Sequence, residues 1–142
     1  MENRKHNFFA FLRAITERDY NYLLSVIHPN AQFEFPFELI EKNKSMNEKH
    51  EIIGYLLNDK IKRTFSAPKL IEDTSKGTIL VELEAEEYFP RIERSLNQEL
   101  ICRISFEDDQ IKFYKEYFNP ITRLEGLLDL NNEDLDDYFN PS

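Results

Sequence analysis

The spacing of apolar residues changes along the chain, from a helical period near the start to alternation over most of the second half. Phe8, Phe11 and Ile15 recur at helical spacing, whereas Phe33 and Phe35 alternate with polar residues. The predicted elements are helices at about 4–18 and 20–28, a strand at about 31–37, a helix from Ser45 to about Thr64, strands at about 65–72, 78–88, 96–107 and 111–118, and a final helix after Pro120. Helices grouped ahead of an antiparallel meander predict an α+β fold, in which a curved, mainly antiparallel sheet wraps around three N-terminal helices and a short C-terminal helix follows.

The length of 142 residues fits one domain with a core of its own. The last fourteen residues differ in composition, because they hold five acidic residues and no Lys or Arg. We therefore predict a domain at 1–128 and an acidic tail at 129–142. The tail either docks as a helical turn through Leu135, Tyr138 and Phe139 or frays.

Charge and hydropathy exclude several kinds of partner. The net charge is −9 at pH 7, which predicts no nucleic-acid partner because phosphate contacts need a basic surface. The same charge disfavours an anionic membrane surface. No apolar run approaches the length of a membrane span, and the run from Phe8 to Leu12 is too short for a signal peptide. We expect a cytoplasmic protein.

The residues that usually hold metals are sparse. Cys102 is the only cysteine, and the three histidines, His6, His28 and His50, are scattered. Neither a disulfide nor a zinc-type ligand spacing is present, so the sequence predicts no metal and no cofactor.

Four glutamates crowd the strand predicted at 78–88. Alternation places Glu82, Glu84 and Glu86 on one face, opposite Val81 and Leu83. A solvated or dimer-facing sheet surface explains these three carboxylates better than a metal or acid cluster does.

The last predicted strand carries one acid in an apolar setting. Alternation puts Tyr114, Glu116 and Phe118 on one face, with Ile111 and Tyr117 among the residues that point the other way. A carboxylate between two rings on a buried strand is either a paired structural group or a working acid/base.

Two local segments carry a resemblance to a known superfamily. They are the passage His28-Pro29-Asn30-Ala31-Gln32-Phe33-Glu34-Phe35-Pro36-Phe37 and the closing stretch from Asp109-Gln110-Ile111 to Tyr117-Phe118-Asn119-Pro120. Together with the element order, they resemble the nuclear transport factor 2-like superfamily over residues 5–128, most closely its SnoaL-like and phenazine-biosynthesis branches. The resemblance implies a cone-shaped α+β barrel, a small apolar or aromatic ligand, and a homodimer formed through the outer sheet face.

The catalytic residues of individual enzymes in the superfamily can be compared with the matching positions of this sequence. The positions that match the catalytic groups of ketosteroid isomerase are Phe35, Phe11 and Cys102, so an enolising isomerase is excluded. Limonene epoxide hydrolase needs an Asp–Arg–Asp set. Glu116 occupies the acid position of its closing strand. Alternation, however, places Arg103 on the opposite face of its own strand from Cys102 and Ile104, where it cannot complete the set.

The phenazine-biosynthesis branch gives the stronger functional lead. Its closing-strand acid/base glutamate matches Glu116, and its helix histidine falls near Tyr55, which can donate a hydrogen bond but is a poor base. The candidate catalytic residues are therefore Glu116, Tyr114 and Tyr55. The candidate substrate-binding residues, each equally explained as core, are Phe11, Phe35, Phe37, Cys102, Ile104 and Phe118. The resulting hypothesis is a cofactor-free isomerase, cyclase or condensing enzyme with an aromatic-lined pocket. The alternative is a non-catalytic ligand carrier or protein-interaction scaffold.

Overall fold

The computed structural model describes residues 2–74 and 77–128. The elements are α1 (Glu2–Glu17), α2 (Tyr20–Val26), β1 (Ile27–Glu34), a 3-10 turn (Glu41–Asn43), β2 (Ser45–Met46), α3 (Lys49–Leu56), β3 (Lys62–Asp73), β4 (Thr78–Phe89), β5 (Arg94–Glu107), β6 (Gln110–Tyr117) and α4 (Pro120–Leu128). The predicted acidic tail, with its docked or frayed alternatives, lies outside these residues.

The six strands form one open, mixed sheet in the order β2-β1-β6-β5-β4-β3. Neighbouring strands are antiparallel except for β1 and β6, which run parallel. The predicted α+β class with a mainly antiparallel sheet is confirmed. Because the sheet does not close, β3 is left as an edge strand on the side opposite β2.

The core fills the face of the sheet that the helices cover. Phe8 and Phe11 of α1, and Ile52 and Ile53 of α3, are fully buried against inward-facing strand residues. The outer face of β4 is uncovered in the single chain, because Glu82, Glu84 and Glu86 are exposed while the residues between them are buried. The alternation predicted for these three glutamates is confirmed.

The predicted third helix was wrong at both ends. Ser45 lies in β2, where it pairs with Glu34, so it does not open a capping box. The N-cap of α3 is Glu48, whose carboxylate accepts a hydrogen bond from the backbone of Glu51. The helix ends at Leu56, and Thr64 already belongs to β3. Tertiary pairing of β1 and β2 therefore overrides a local pattern that fits either structure.

Two strand details also differ from the prediction. The strand predicted at about 31–37 begins earlier, at Ile27, and ends at Glu34. In β6, Ile111 is fully buried on the same side as Tyr114. The pairing with β5 shifts by one residue between Ser105 and Phe106, and such a bulge reverses the direction of the side chains that precede it.

Gly126 fixes the position of α4 against the sheet. A Cβ atom at Gly126 would lie 2.3 Å from Cζ of the buried Phe89 ring, whereas nothing lies within 4 Å of the same position at Gly54 in α3. Only a residue without a side chain permits this approach.

We expect Gly126→Ala to lower the free energy of unfolding by about 1–3 kcal/mol, because the added methyl group overpacks the Phe89 site. Gly54→Ala should instead raise it by about 0.5–1 kcal/mol through helix propensity alone. Urea denaturation of both variants measures the two effects. Equal stabilisation by both substitutions would contradict the close packing of α4.

Candidate functional site

Five charged side chains lie buried together inside the fold. They come from five different segments, and each is at most 9% exposed. The members are Glu38 after β1, Arg63 of β3, Glu87 of β4, Glu116 of β6 and Arg123 of α4. Three carboxylates and two guanidiniums give this buried network a formal charge of −1. Charges removed from water require close partners, so the contacts within the network determine which member can react.

Glu116 is held from two sides. The two terminal nitrogens of Arg63 donate to it, Nη1 to Oε1 at 3.2 Å and Nη2 to Oε2 at 2.9 Å. The hydroxyl of Tyr114 donates to Oε1 at 2.6 Å. This two-point pairing is the strong form of an arginine–carboxylate contact, and Glu116 is 0% exposed.

Glu87 joins the two arginines. Its Oε2 lies 2.9 Å from Nε of Arg63 and accepts a hydrogen bond from Nη2 of Arg123 at 3.1 Å, and its Oε1 accepts from Nε of Arg123 at 3.4 Å. The guanidinium of Arg123 also lies 3.9 Å from the ring centroid of Phe118. Glu87 therefore bridges the cations of β3 and α4.

Glu38 forms the far end of the network. Its Oε2 is 3.5 Å from Nη1 of Arg123 and accepts a short hydrogen bond from the hydroxyl of Tyr55. The backbone of Leu39 donates to its other oxygen at 2.8 Å. The segment between β1 and β2 is thus tied through one carboxylate to α3 and α4.

Burial and pairing shift the proton affinities. Burial raises the pKa of both Tyr55 and Tyr114, so at neutral pH their hydroxyls act as donors. Burial alone would raise the pKa of Glu87, but Arg63 and Arg123 outweigh it and hold that pKa below its ordinary value. Burial lowers the pKa of Arg63, yet Glu116 and Glu87 more than compensate, and it is raised overall.

The structure brings most of the predicted site residues together. Tyr114 is the centre of an aromatic cluster, with ring centroids 5.4 Å from Phe11, 4.9 Å from Phe33 and 5.9 Å from Phe35. The ring of Tyr55 lies 4.5 Å from Phe35. The oxygen of Tyr114 is 3.5 Å from Sγ of Cys102, and burial raises the pKa of that thiol, which keeps it a poor nucleophile.

The six residues predicted to bind substrate lie in two environments. Phe11, Phe35, Cys102 and Ile104 are fully buried, and Phe118 is 4% exposed. Phe37 lies apart from them, 48% exposed, with its ring 5.8 Å from that of Tyr117. It follows Pro36 beyond the end of β1, where strand alternation no longer applies.

An apolar groove opens elsewhere, between α1 and the edge strand β3. It has a volume of about 290 Å³. Its lining residues are Phe9, Leu12, Arg13, Thr16, Glu17, Thr64, Phe65, Ser66, Pro68 and Leu83. None of the nine predicted site residues is among them. This volume lies just below the usual range for ligand pockets, roughly 300–1,000 Å³.

The sequence analysis missed both arginines of the network. Glu87 carried a usable signal, because alternation places it on the same buried face of β4 as Val81 and Leu83. Arg63 was hidden by the helix predicted to extend to Thr64. Arg103 was correctly predicted to face away, and it lies on the outer side, 5.4 Å from the ring of Phe113.

Glu87→Gln is expected to lower the free energy of unfolding by about 3–5 kcal/mol at neutral pH, because it leaves Arg63 and Arg123 without their shared anion. Glu84→Gln, on the exposed face of the same strand, should change it by no more than about 0.5 kcal/mol. Urea denaturation of the two variants gives this comparison.

The stability difference between wild type and Glu87→Gln should depend on pH. The folded-state pKa of Glu87 lies below its ordinary value of 4.5. Its contribution to the free energy of unfolding is therefore complete above about pH 4.5 and is lost as the pH falls through the folded-state pKa. Unfolding curves recorded over acidic pH values test this. A difference that grows on acidification would show that Glu87 is not stabilised by the arginines.

Comparison with known proteins supports the fold. No family model matches the chain. The uncharacterized protein YesE of Bacillus subtilis (strain 168) is 25% identical over 121 residues, which cover 82% of each chain. Within the described residues, no helix combines the length and apolar character needed to cross a membrane.

Several solved structures share the fold. A candidate isomerase from Bacillus subtilis is similar with a TM-score of 0.80 and 23% identity, over 88% of this chain and 92% of that one. An epoxide hydrolase from M. tuberculosis that resembles limonene epoxide hydrolase has a TM-score of 0.68 and 14% identity, over 100% and 98%. A nuclear transport factor 2-like protein from Burkholderia xenovorans LB400 has a TM-score of 0.74 and 13% identity, over 89% and 97%. The chain has the nuclear transport factor 2-like fold.

Proposed function

We propose that this protein binds a small, largely apolar molecule, and that the binding site is the groove between α1 and β3. The observation that carries this proposal is an apolar depression of about 290 Å³ whose floor includes the buried Leu12 and Leu83. Ligand sites are usually concave, mostly apolar and equipped with few polar groups. Arg13, Thr16 and Glu17 supply such groups from one helix.

The ligand site in this proposal is the groove, and not the cluster of aromatic residues that the sequence analysis named as candidate substrate-binding residues. Phe11, Phe35 and Cys102 are enclosed by other side chains and line no part of it. Phe9 and Phe65 supply aromatic surface instead. Solved structures with this fold include proteins described as acting on small molecules, which is consistent with the proposal but specifies no ligand.

Filling the groove should abolish binding. Ser66→Trp places a large ring among the lining residues, and we expect at least a tenfold rise in the dissociation constant of a naphthalene-sized probe such as 1-naphthalenemethanol. Asn97→Trp, at an exposed position of β5, serves as the matched control and should leave it unchanged. Isothermal titration calorimetry measures both. Equal affinity in the two variants would place the ligand outside the groove.

A second candidate function is cofactor-free acid/base catalysis at the buried network. Glu116 would act as the acid/base, with Tyr114 and Tyr55 as hydrogen-bond donors. The supporting observation is the carboxylate–guanidinium–carboxylate arrangement of Glu116, Arg63 and Glu87. Two acids with an arginine between them are the kind of set that limonene epoxide hydrolase needs. Arg103 could not complete such a set because it faces outward, whereas Arg63 faces the interior. Because Glu116 is fully enclosed and paired, catalysis there requires a route for the substrate.

Tyr114→Phe tests catalysis while keeping the aromatic ring in place. Epoxide hydrolysis is a suitable first assay, since one protein of similar fold is described as an epoxide hydrolase. With styrene oxide as the substrate, we expect turnover by wild type and at least a tenfold lower kcat for the variant, because Glu116 loses its 2.6 Å donor. Turnover that is unchanged by Tyr114→Phe would exclude this role. Absence of turnover in wild type would favour the alternative of a non-catalytic carrier or interaction scaffold.

We also propose a homodimer through the outer face of the sheet. Ile101 is 42% exposed there beside Tyr117, and an exposed apolar side chain within a strand favours burial by a partner. Ile101→Glu should give monomers in sedimentation velocity. Phe9→Glu changes an equally exposed residue of α1 and should leave the dimer intact. A monomeric wild type would contradict the proposal.

A further inference from the structure

One aromatic ring borders both the groove and the buried network. Phe65 is a lining residue of the groove, and its ring centroid lies 5.0 Å from Cζ of Arg63. Arg63 and Phe65 share the inward face of β3, since Thr64 between them is exposed. The guanidinium that holds Glu116 is therefore separated from the groove by a single side chain.

One nitrogen of Arg63 lacks an aligned acceptor although a carboxylate lies beside it. Its Nε–H lies 2.9 Å from Oε2 of Glu87 but is not aligned for a hydrogen bond, and within residues 2–74 and 77–128 it has no aligned acceptor. A buried donor without an aligned acceptor is unfavourable, so an acceptor atom better aligned than Oε2 of Glu87 would strengthen the hydrogen bonding of Nε.

The surroundings of Phe65 permit its ring to move. β3 is the edge strand, Phe65 is only half-buried, and the next residues Ser66, Ala67 and Pro68 are exposed. The pairing of β3 with β4 is interrupted between Ser66 and Lys69, and Ala67 has a φ of 51°, in the left-handed region. Phe65 packs at the margin of the core, so rotation of its ring toward solvent breaks those contacts but meets only exposed neighbours along β3.

We infer that Phe65 is a gate, and that the groove and the Arg63–Glu116 pair form two compartments of one ligand site. This inference rests on the groove being the ligand site. The outer compartment takes an apolar ring system, and the inner one takes a neutral polar arm that can both accept from Arg63 and donate to a carboxylate. A neutral arm fits because the network already combines three carboxylates with two guanidiniums. An amide- or carbonyl-bearing arene belongs to this class.

Two probes that differ only in the arm test the gate. 1-Naphthaleneacetamide carries the polar arm, and 1-ethylnaphthalene is a similar shape without it. In wild type we expect both to bind, the amide at least tenfold more tightly, and only the amide to shift the Nε–H resonance of Arg63 in ¹⁵N-labelled protein. The Nε–H resonance of Arg123, at the far side of Glu87, serves as the internal reference.

Matched variants separate the gate from the groove. Phe65→Trp should obstruct the inner compartment and abolish the amide's tenfold advantage and the Arg63 shift, whereas Phe65→Ala should preserve both. Asn97→Trp, at an exposed position of β5 outside the groove, should also preserve them. An amide with no advantage in wild type, or one whose advantage survives Phe65→Trp, would overturn the gate while leaving the groove as the ligand site. If neither probe binds wild type, the groove itself is excluded.

Discussion

The pairing of Arg63 with Glu116 and Glu87 is the interaction on which the rest of the interior depends. A guanidinium on the edge strand reaches two carboxylates from two other strands, and each of the three groups is nearly or completely removed from water. None could be buried there alone, because an isolated charge in the core is strongly unfavourable. Arg123 extends the same pairing to α4, and Glu38 extends it to the segment after β1. Five segments that are distant in sequence are thereby held in one arrangement.

This arrangement places strict limits on function. Glu116 is present at the predicted position, but two guanidinium nitrogens and a tyrosine hydroxyl occupy it. The groove beside α1 and β3 is open, and its floor is apolar. Binding in the groove therefore needs no rearrangement, whereas chemistry at Glu116 needs a side chain to move. Phe65 is the residue placed between the two regions.

The sequence predicted the parts of the fold that follow from local periodicity. Tyr114, Glu116 and Phe118 share the buried side of the last strand, as alternation indicated, and the exposed glutamates of β4 were assigned correctly. Arg63 was missed because the apolar spacing around Ile53 and Ile61 fits a continuing helix as well as a turn into a strand. Only the tertiary pairing of β3 with β4 decides between them. The groove could not be predicted, since its width depends on how α1 packs against an edge strand that is far away in sequence.

The most direct test of the central claim is a crystal structure of the protein soaked with 1-bromonaphthalene. The bromine atom provides an anomalous signal that marks the ligand position without reference to its affinity. The account predicts a bromine peak within the groove, with the naphthalene rings in contact with Leu12, Leu83 and Phe65. A peak on the outer face of the sheet, or a groove without density at full soaking concentration, would contradict it.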